Sequence, residues 1–231
     1  MNRHRYRVWC MLLSLGCVLW TPLLAWSQQP KSGGTLRVAW EADVTGLDPA
    51  VSTGLQAFYI KGNLFNTLVT VDAELNFVPE LAESWEVQDN GQVYVFHLRR
   101  GVKFHDGTDF DAEAVRWNVQ FILQPEHKAF MRSFLEIVES VEPIDAHTVK
   151  FTLKHPSFTL LPSLAQYREG VLFKSPTAYQ SRDKSEAHLH PVGTGPFKLR
   201  NGSRSISSSW KSMQAIGRKA CHTSTVLSSK S

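Results

Sequence analysis

Pro79 to Leu123 reads PELAESWEVQDNGQVYVFHLRRGVKFHDGTDFDAEAVRWNVQFIL, and its punctuation decides the fold. Trp85 to Gln88 and Val93 to Leu98 are strand-like, and Asp89-Asn90-Gly91 between them is strong hairpin punctuation. His105-Asp106-Gly107 marks a second turn, and Asp111 is placed to cap a helix. The apolar residues of that helix, Val115, Val119, Ile122 and Leu123, fall on one face. The stretch is therefore strand, tight turn, strand, turn and helix, a unit of a mixed α/β domain.

Outward from this unit the same logic repeats. Thr35 to Trp40 alternates as a half-buried strand does, and Glu41 to Gly54 is a turn-rich loop carrying Asp48-Pro49. Leu55 to Leu68 suggests a helix through Phe58, Ile60, Leu64, Phe65 and Leu68, and Leu68 to Val71 starts a strand. Ile137 to Ile144 and Thr148 to Leu153 form a second predicted hairpin around Asp145-Ala146-His147. A short helix is expected within Phe158 to Leu164, extended chain at Leu172 to Pro176, and a helix opening at Pro176 to Gln180. His190 to Leu199, HPVGTGPFKL, turns into a further strand.

Length and composition are those of a globular chain: 231 residues, 42% hydrophobic and 20% charged. The formal charge of +4 owes part of its excess to the two ends, so it does not argue for a nucleic-acid partner. Arg3, Arg5 and Arg7, the apolar run Val8 to Leu24 and the small residues of Ala25-Trp26-Ser27 have the layout of a cleaved secretory signal, predicting a mature start at Gln28. The rival readings are a membrane span, for which the run is short and carries Pro22, and a lipid anchor at Cys17, whose preceding residues match poorly. Cys10 and Cys17 would leave with the signal. Cys221 then remains alone, so no internal disulfide is expected.

From Asn201 onward the character changes. Ten of the last 31 residues are serine and none is acidic, which predicts a disordered tail at 201–231. The expected organisation is a signal at 1–27, a domain portion at 28–200 and this tail.

Motifs of catalysis and metal binding are weak. The sequence has no G-x-S-x-G, H-E-x-x-H or P-loop. His97 and His105-Asp106 read as hairpin or turn residues rather than ligands. His188 and His190 would lie on one side of an extended segment, without further ligands at a set geometry. Arg99, Arg100 and Lys103 read as solvated charges flanking core aromatics. No metal, no cofactor and no catalytic residue is expected.

The LAESW element, the F-x-LR-x-GVKFHDG run, the AE-containing helix start, the GGTLRVA opening and PVGTGPFKL together resemble the extracytoplasmic solute-binding proteins of peptide-type ABC importers. The resemblance runs from about Gly33 to Arg200. Because it stops in mid-strand, a shift of reading frame near Arg200 is the expected origin of the tail, the alternative being a natural flexible tail; the nucleotide sequence beyond codon 200 would decide between them. One departure is visible: Asp111-Ala112-Glu113-Ala114 lacks the acidic partner that would close a capping box.

The resemblance implies an α/β fold of the type II periplasmic-binding-protein kind, bilobal with an extra subdomain, of which only part of the first lobe is present. It implies a non-catalytic, monomeric periplasmic protein that captures di- or oligopeptides for an ABC permease. A nickel chelate, haem, glutathione or oligosaccharide ligand is the rival within the family; a secreted hydrolase or a sensor module is the rival outside it. Glu41 and Asp43, in the loop after the first strand, are candidates for a peptide ammonium, or else are solvated or turn-capping carboxylates. Tyr59 is a candidate pocket residue, or else core. Arg168 is a candidate for a ligand carboxylate, or else pairs with Glu169.

Overall fold

The structure is a computed structural model that describes residues 35–38, 44, 46–165, 170–201 and 208–212. Strand β1 (Thr35–Val38) is followed by helix α1 (Leu55–Leu64), then by the short strands β2 (Val69–Val71) and β3 (Phe77–Pro79). Next come β4 (Ala82–Gln88), β5 (Val93–Leu98), α2 (Ala112–Leu123), α3 (Arg132–Leu135), β6 (Val138–Asp145) and β7 (Thr148–Leu153). The order closes with α4 (Leu160–Leu164), α5 (Pro176–Gln180), α6 (Lys184–Leu189), β8 (Phe197–Asn201) and β9 (Ser208–Ser212).

Two hairpins make the main sheet, in the order β4-β5-β7-β6, antiparallel throughout. Asp89, Asn90 and Gly91 all take positive φ (49°, 54° and 89°), the left-handed conformation that Asn, Asp and Gly tolerate best. The alternation of β5 and β7 sorts their side chains by face: Tyr94, Phe96 and Leu98, with Val149, Phe151 and Leu153, are buried. Phe96 meets Phe151 edge to face at 5.4 Å. Helix α2 covers this face with Val115, Val119 and Ile122, while Leu123 packs at its margin. Its cap is as the sequence predicts: Ala114 N–H donates to the Asp111 carboxylate at 2.8 Å, and Ala stands where a capping box would need Glu.

Three expectations need correction. Helix α1 ends at Leu64 rather than Leu68, because Phe65 turns extended and buries its ring, and Thr67 then bonds the Glu80 carboxylate. His188 and His190 do not lie on an extended segment; His188 is within α6 and His190 caps it. Within the Ser-rich segment expected to be disordered, Ser208–Ser212 forms β9, antiparallel to both β1 and β8. Backbone pairing on two sides satisfies such a strand without an alternating apolar pattern. The predicted signal at 1–27 lies outside the described residues. Among the described residues no helix is long and apolar enough to cross a membrane.

A clasp between two distant turns sets the end of α1. His105 is buried, and its N–H donates to Gly193 O at 2.8 Å. Gly193 N–H donates to the imidazole Nδ1 at 3.3 Å, and Nε2 donates to Gly195 O at 2.9 Å, which selects the neutral tautomer protonated on Nε2. Gly195 N–H in turn donates to Leu64 O at the end of α1. Burial holds the imidazole below its ordinary value, with the Gly195 hydrogen bond opposing and the Lys198 charge assisting. A proton on Nδ1 would face the Gly193 N–H, donor against donor.

The sign of the pH effect follows. As pH falls through about 6.5 the unfolded chain takes up a proton at this position that the folded chain refuses, so stability falls with pH. Urea midpoints are expected to drop between about pH 7.5 and 5.5, and a His105→Gln variant to show a shallower slope. Equal slopes would remove His105 from the account.

Candidate ligand groove

Three segments wall an open groove of about 820 Å³. The first wall is the start of α1. Gly54 at its N-cap has φ 122°, a conformation that side chains rarely adopt, and from it Leu55 and Phe58 project one turn apart. The second wall is Phe130, Met131 and Phe134, anchored by the Phe130 N–H donating to Ala50 O at 3.2 Å. The third is Thr159, Pro162, Ser163 and Ala165 around α4, continued by Gly170. Ser163 is fixed by donating its hydroxyl to Thr159 O at 2.9 Å.

The groove's chemistry is one-sided. Met131 and Ala165 are buried, whereas Leu55 (64%) and Phe134 (57%) stand open to solvent. None of the described lining residues is charged. Behind Phe130, Lys61 is 1% exposed, and its ammonium donates to Ser52 O at 2.6 Å and sits 5.1 Å from the Phe130 ring centre. Exposed apolar side chains gathered in a concavity mark a surface that something covers.

The sequence-predicted residues relate to this groove unevenly. Tyr59 follows Phe58 on α1, is half exposed and meets the Phe58 ring at 5.6 Å, so it is not a core residue. The buried face of α1 is Ala57, Ile60, Lys61 and Leu64, from which Tyr59 points away. Arg168 lies outside the described residues, but Ala165 and Gly170, which flank its segment, both line the groove. Glu41 and Asp43 also lie outside them; the next described residue, Val44, packs against the small cluster of Leu47, Ile60, Leu64, Phe65 and Leu172. Of the four sequence-predicted residues only Tyr59 is described, and it is on the helix that gives Leu55 and Phe58 to the groove without itself lining it.

Sequence reasoning missed the groove's second wall and a buried ion pair. Lys174 Nζ lies 2.8 Å from the Asp48 carboxylate, both nearly inaccessible. The ammonium rests 3.6 Å from the Phe121 ring centre and 3.9 Å from that of Tyr179. Burial pulls Lys174 down to about 8, with Asp48 pulling the other way. Asn118 clamps the Lys174 backbone from both sides, accepting from its N–H at 3.1 Å and donating to its carbonyl at 2.9 Å. The only sequence signal was Asp48-Pro49, read as a turn. Among the described residues no group of His, Cys, Asp and Glu is arranged to hold a metal ion.

Comparison with known proteins agrees with this architecture. The sequence model of the bacterial extracellular solute-binding proteins, family 5 Middle, matches residues 76–209. The chain is 37% identical to Di/tripeptide-binding protein 2 of Pseudomonas aeruginosa, over 73% of this chain and 35% of that protein. It is 36% identical to the glutathione-binding protein GsiB of Shigella flexneri, over 70% of this chain and 31% of that one. Among solved structures it resembles DppA of Helicobacter pylori in complex with the peptide STSA (TM-score 0.61, 29% identity, 69% of this chain and 35% of that one). It also resembles NikA of Brucella suis in complex with Fe(III)-EDTA (TM-score 0.63, 31% identity, 71% of this chain and 33% of that one).

The chain belongs to the family 5 bacterial extracellular solute-binding proteins. Its α/β fold is that of the bilobal periplasmic binding proteins, of which it carries part of the first lobe. It spans about a third of the length of the curated relatives it matches.

Proposed function

We propose that this chain supplies one wall of the solute site of an ABC importer's binding protein, and that the solute is a di- or oligopeptide. The protein so formed is a non-catalytic, monomeric receptor, exported by the leader at 1–27, that hands its ligand to a membrane permease. The observation that carries this is the groove: uncharged and apolar over its described lining, walled in part by Leu55 and Phe58 of α1 and by Ala165 and Gly170. Apolar walls suit peptide side chains, and Arg168 is the proposed contact for a terminal carboxylate. Glu41 and Asp43 are the proposed contacts for the peptide ammonium.

The described residues offer one side of the proposed cleft. In calorimetric titration with dipeptides the chain is expected to show no saturable binding at micromolar concentration. In saturation-transfer NMR at millimolar leucyl-phenylalanine, the peptide's apolar side chains are expected to receive magnetisation from the groove. A Leu55→Ser, Phe134→Ser double variant is expected to remove most of that transfer; both side chains are exposed, so the fold is spared. Transfer that survives the double variant rejects the groove as the site, and saturable micromolar binding rejects the two-wall account.

A further inference from the structure

A second concavity, of about 340 Å³, lies where α2 meets α5, and shares no residue with the apolar groove. Its floor is aromatic. Trp117 stacks on Phe121 at 5.3 Å, and Tyr179 meets Phe121 edge to face at 4.9 Å. Trp117 and Tyr179 are half buried, and both line the concavity. His127 stacks on Phe121 at 3.7 Å and bonds Gln124 at 2.8 Å, closing one side.

The rim is polar. Gln120, Gln124 and Gln180 border the floor, each exposed. Arg182 completes the rim, its Nη1 donating to His190 O at 3.0 Å, and the guanidinium's other donors face a ligand in the proposal. No described residue lining the pocket is a carboxylate. Beneath the floor, the Lys174–Asp48 pair and the Asn118 clamp hold the rings from behind. A rigid floor of this kind costs a ligand little ordering entropy.

Each part of this arrangement answers a part of one ligand class. A flat aromatic face accepts the C–H face of a pyranose ring. A carboxamide offers a donor and an acceptor side by side, which matches a vicinal pair of hydroxyls. The volume suits one or two sugar rings. An arginine on a rim whose described lining residues include no carboxylate favours a ring that carries one. We infer that this face of the chain is a carbohydrate site that binds a pyranose, and a uronic acid in preference to a neutral sugar.

The test uses the full chain with glucose, glucuronate and methyl β-glucuronide as probes in saturation-transfer difference NMR. Glucuronate is expected to bind about fivefold more tightly than glucose, the upper reach of an exposed ion pair. Arg182→Gln is expected to erase that preference and leave glucose binding in place. Trp117→Ala is expected to weaken all three probes at least tenfold. Because that change opens the packing, a Gln120→Ala, Gln180→Ala double variant, altering only exposed side chains, repeats the test and is also expected to weaken them. Methyl β-glucuronide distinguishes the natural source: undiminished binding assigns the end of a glycan chain, and lost binding assigns a free sugar. The Leu55→Ser, Phe134→Ser variant of the apolar groove is expected to bind sugars normally, so that failure of one site is separable from failure of the other. No transfer to any probe, or transfer unchanged in both the Trp117 and the glutamine variants, overturns the proposal.

Discussion

Replacing Gly195 by alanine is expected to cost about 3–5 kcal/mol of folding free energy. A Cβ at this position would stand 2.4 Å from the Leu64 carbonyl carbon and 2.6 Å from Asn63 O. These are backbone atoms at the end of α1, held by the helix, so no rotamer change relieves the overlap. The turn would have to back away from α1. That movement breaks the hydrogen bond from Gly195 N–H to Leu64 O and strains the one from His105 to Gly195 O. Gly193 faces the same barrier, with a Cβ 2.2 Å from Leu64 O. The control is Gly107→Ala. Gly107 has φ 91° but open space where the Cβ would go, so only the left-handed backbone is penalised, by about 1–2 kcal/mol. Urea unfolding followed by tryptophan fluorescence measures both. If Gly195→Ala costs no more than Gly107→Ala, the close approach to α1 is not what the glycine is for.

The glycines of PVGTGPF and the histidine of FHDG show what a sequence displays and what it hides. Both runs stand out when read along the chain, and the turns they predict are where they should be. That the two turns grip each other is invisible, because 88 residues separate His105 from Gly193 and no local pattern encodes their meeting. The strands β5 and β7 begin and end where alternation and the DNG and DAH turns place them, since period-two burial is written residue by residue. Helix α6 was missed for the opposite reason: Lys184–Leu189 has one buried apolar residue, Ala187, and no amphipathic stripe to read. The groove was legible only at its edges. Its walls come from three segments whose apolar residues look like core in sequence, and exposure at Leu55 and Phe134 is a property of tertiary packing. Tyr59 is instructive here, because its helix was recognised but the buried face was not. Lys61, the residue a pattern would leave in solvent, is on the inside of α1, and Tyr59 is not.

Asp48 and Lys174 are expected to behave as a unit whose halves cannot be removed singly. They lie 126 residues apart in sequence and 2.8 Å apart in space, with side-chain exposures of 1% and 6%. Removing one charge leaves the other buried without a partner, and such losses run to about 3–5 kcal/mol. Asp48→Asn is the cleaner half of the experiment. It is isosteric, and it keeps an oxygen for the Ala50 N–H that Oδ1 now accepts at 2.9 Å, so chiefly the charge is lost. Lys174→Met keeps the length of the chain and its contact with Phe121 and Tyr179, but strips out the ammonium that both rings face. With both changes made no net charge remains underground, so the double variant is expected to recover about 2 kcal/mol relative to the sum of the singles. Near neutral pH, below the Lys174 value of about 8, the lysine carries its charge, which is the condition under which the cycle should be run. Equilibrium unfolding in urea gives all four corners, and near-ultraviolet circular dichroism reports on the packing of Trp117 and Tyr179 above the pair. Two nearly neutral single variants with additive effects would mean that water or rearrangement already compensates each charge. The aromatic floor would then owe its rigidity to packing alone.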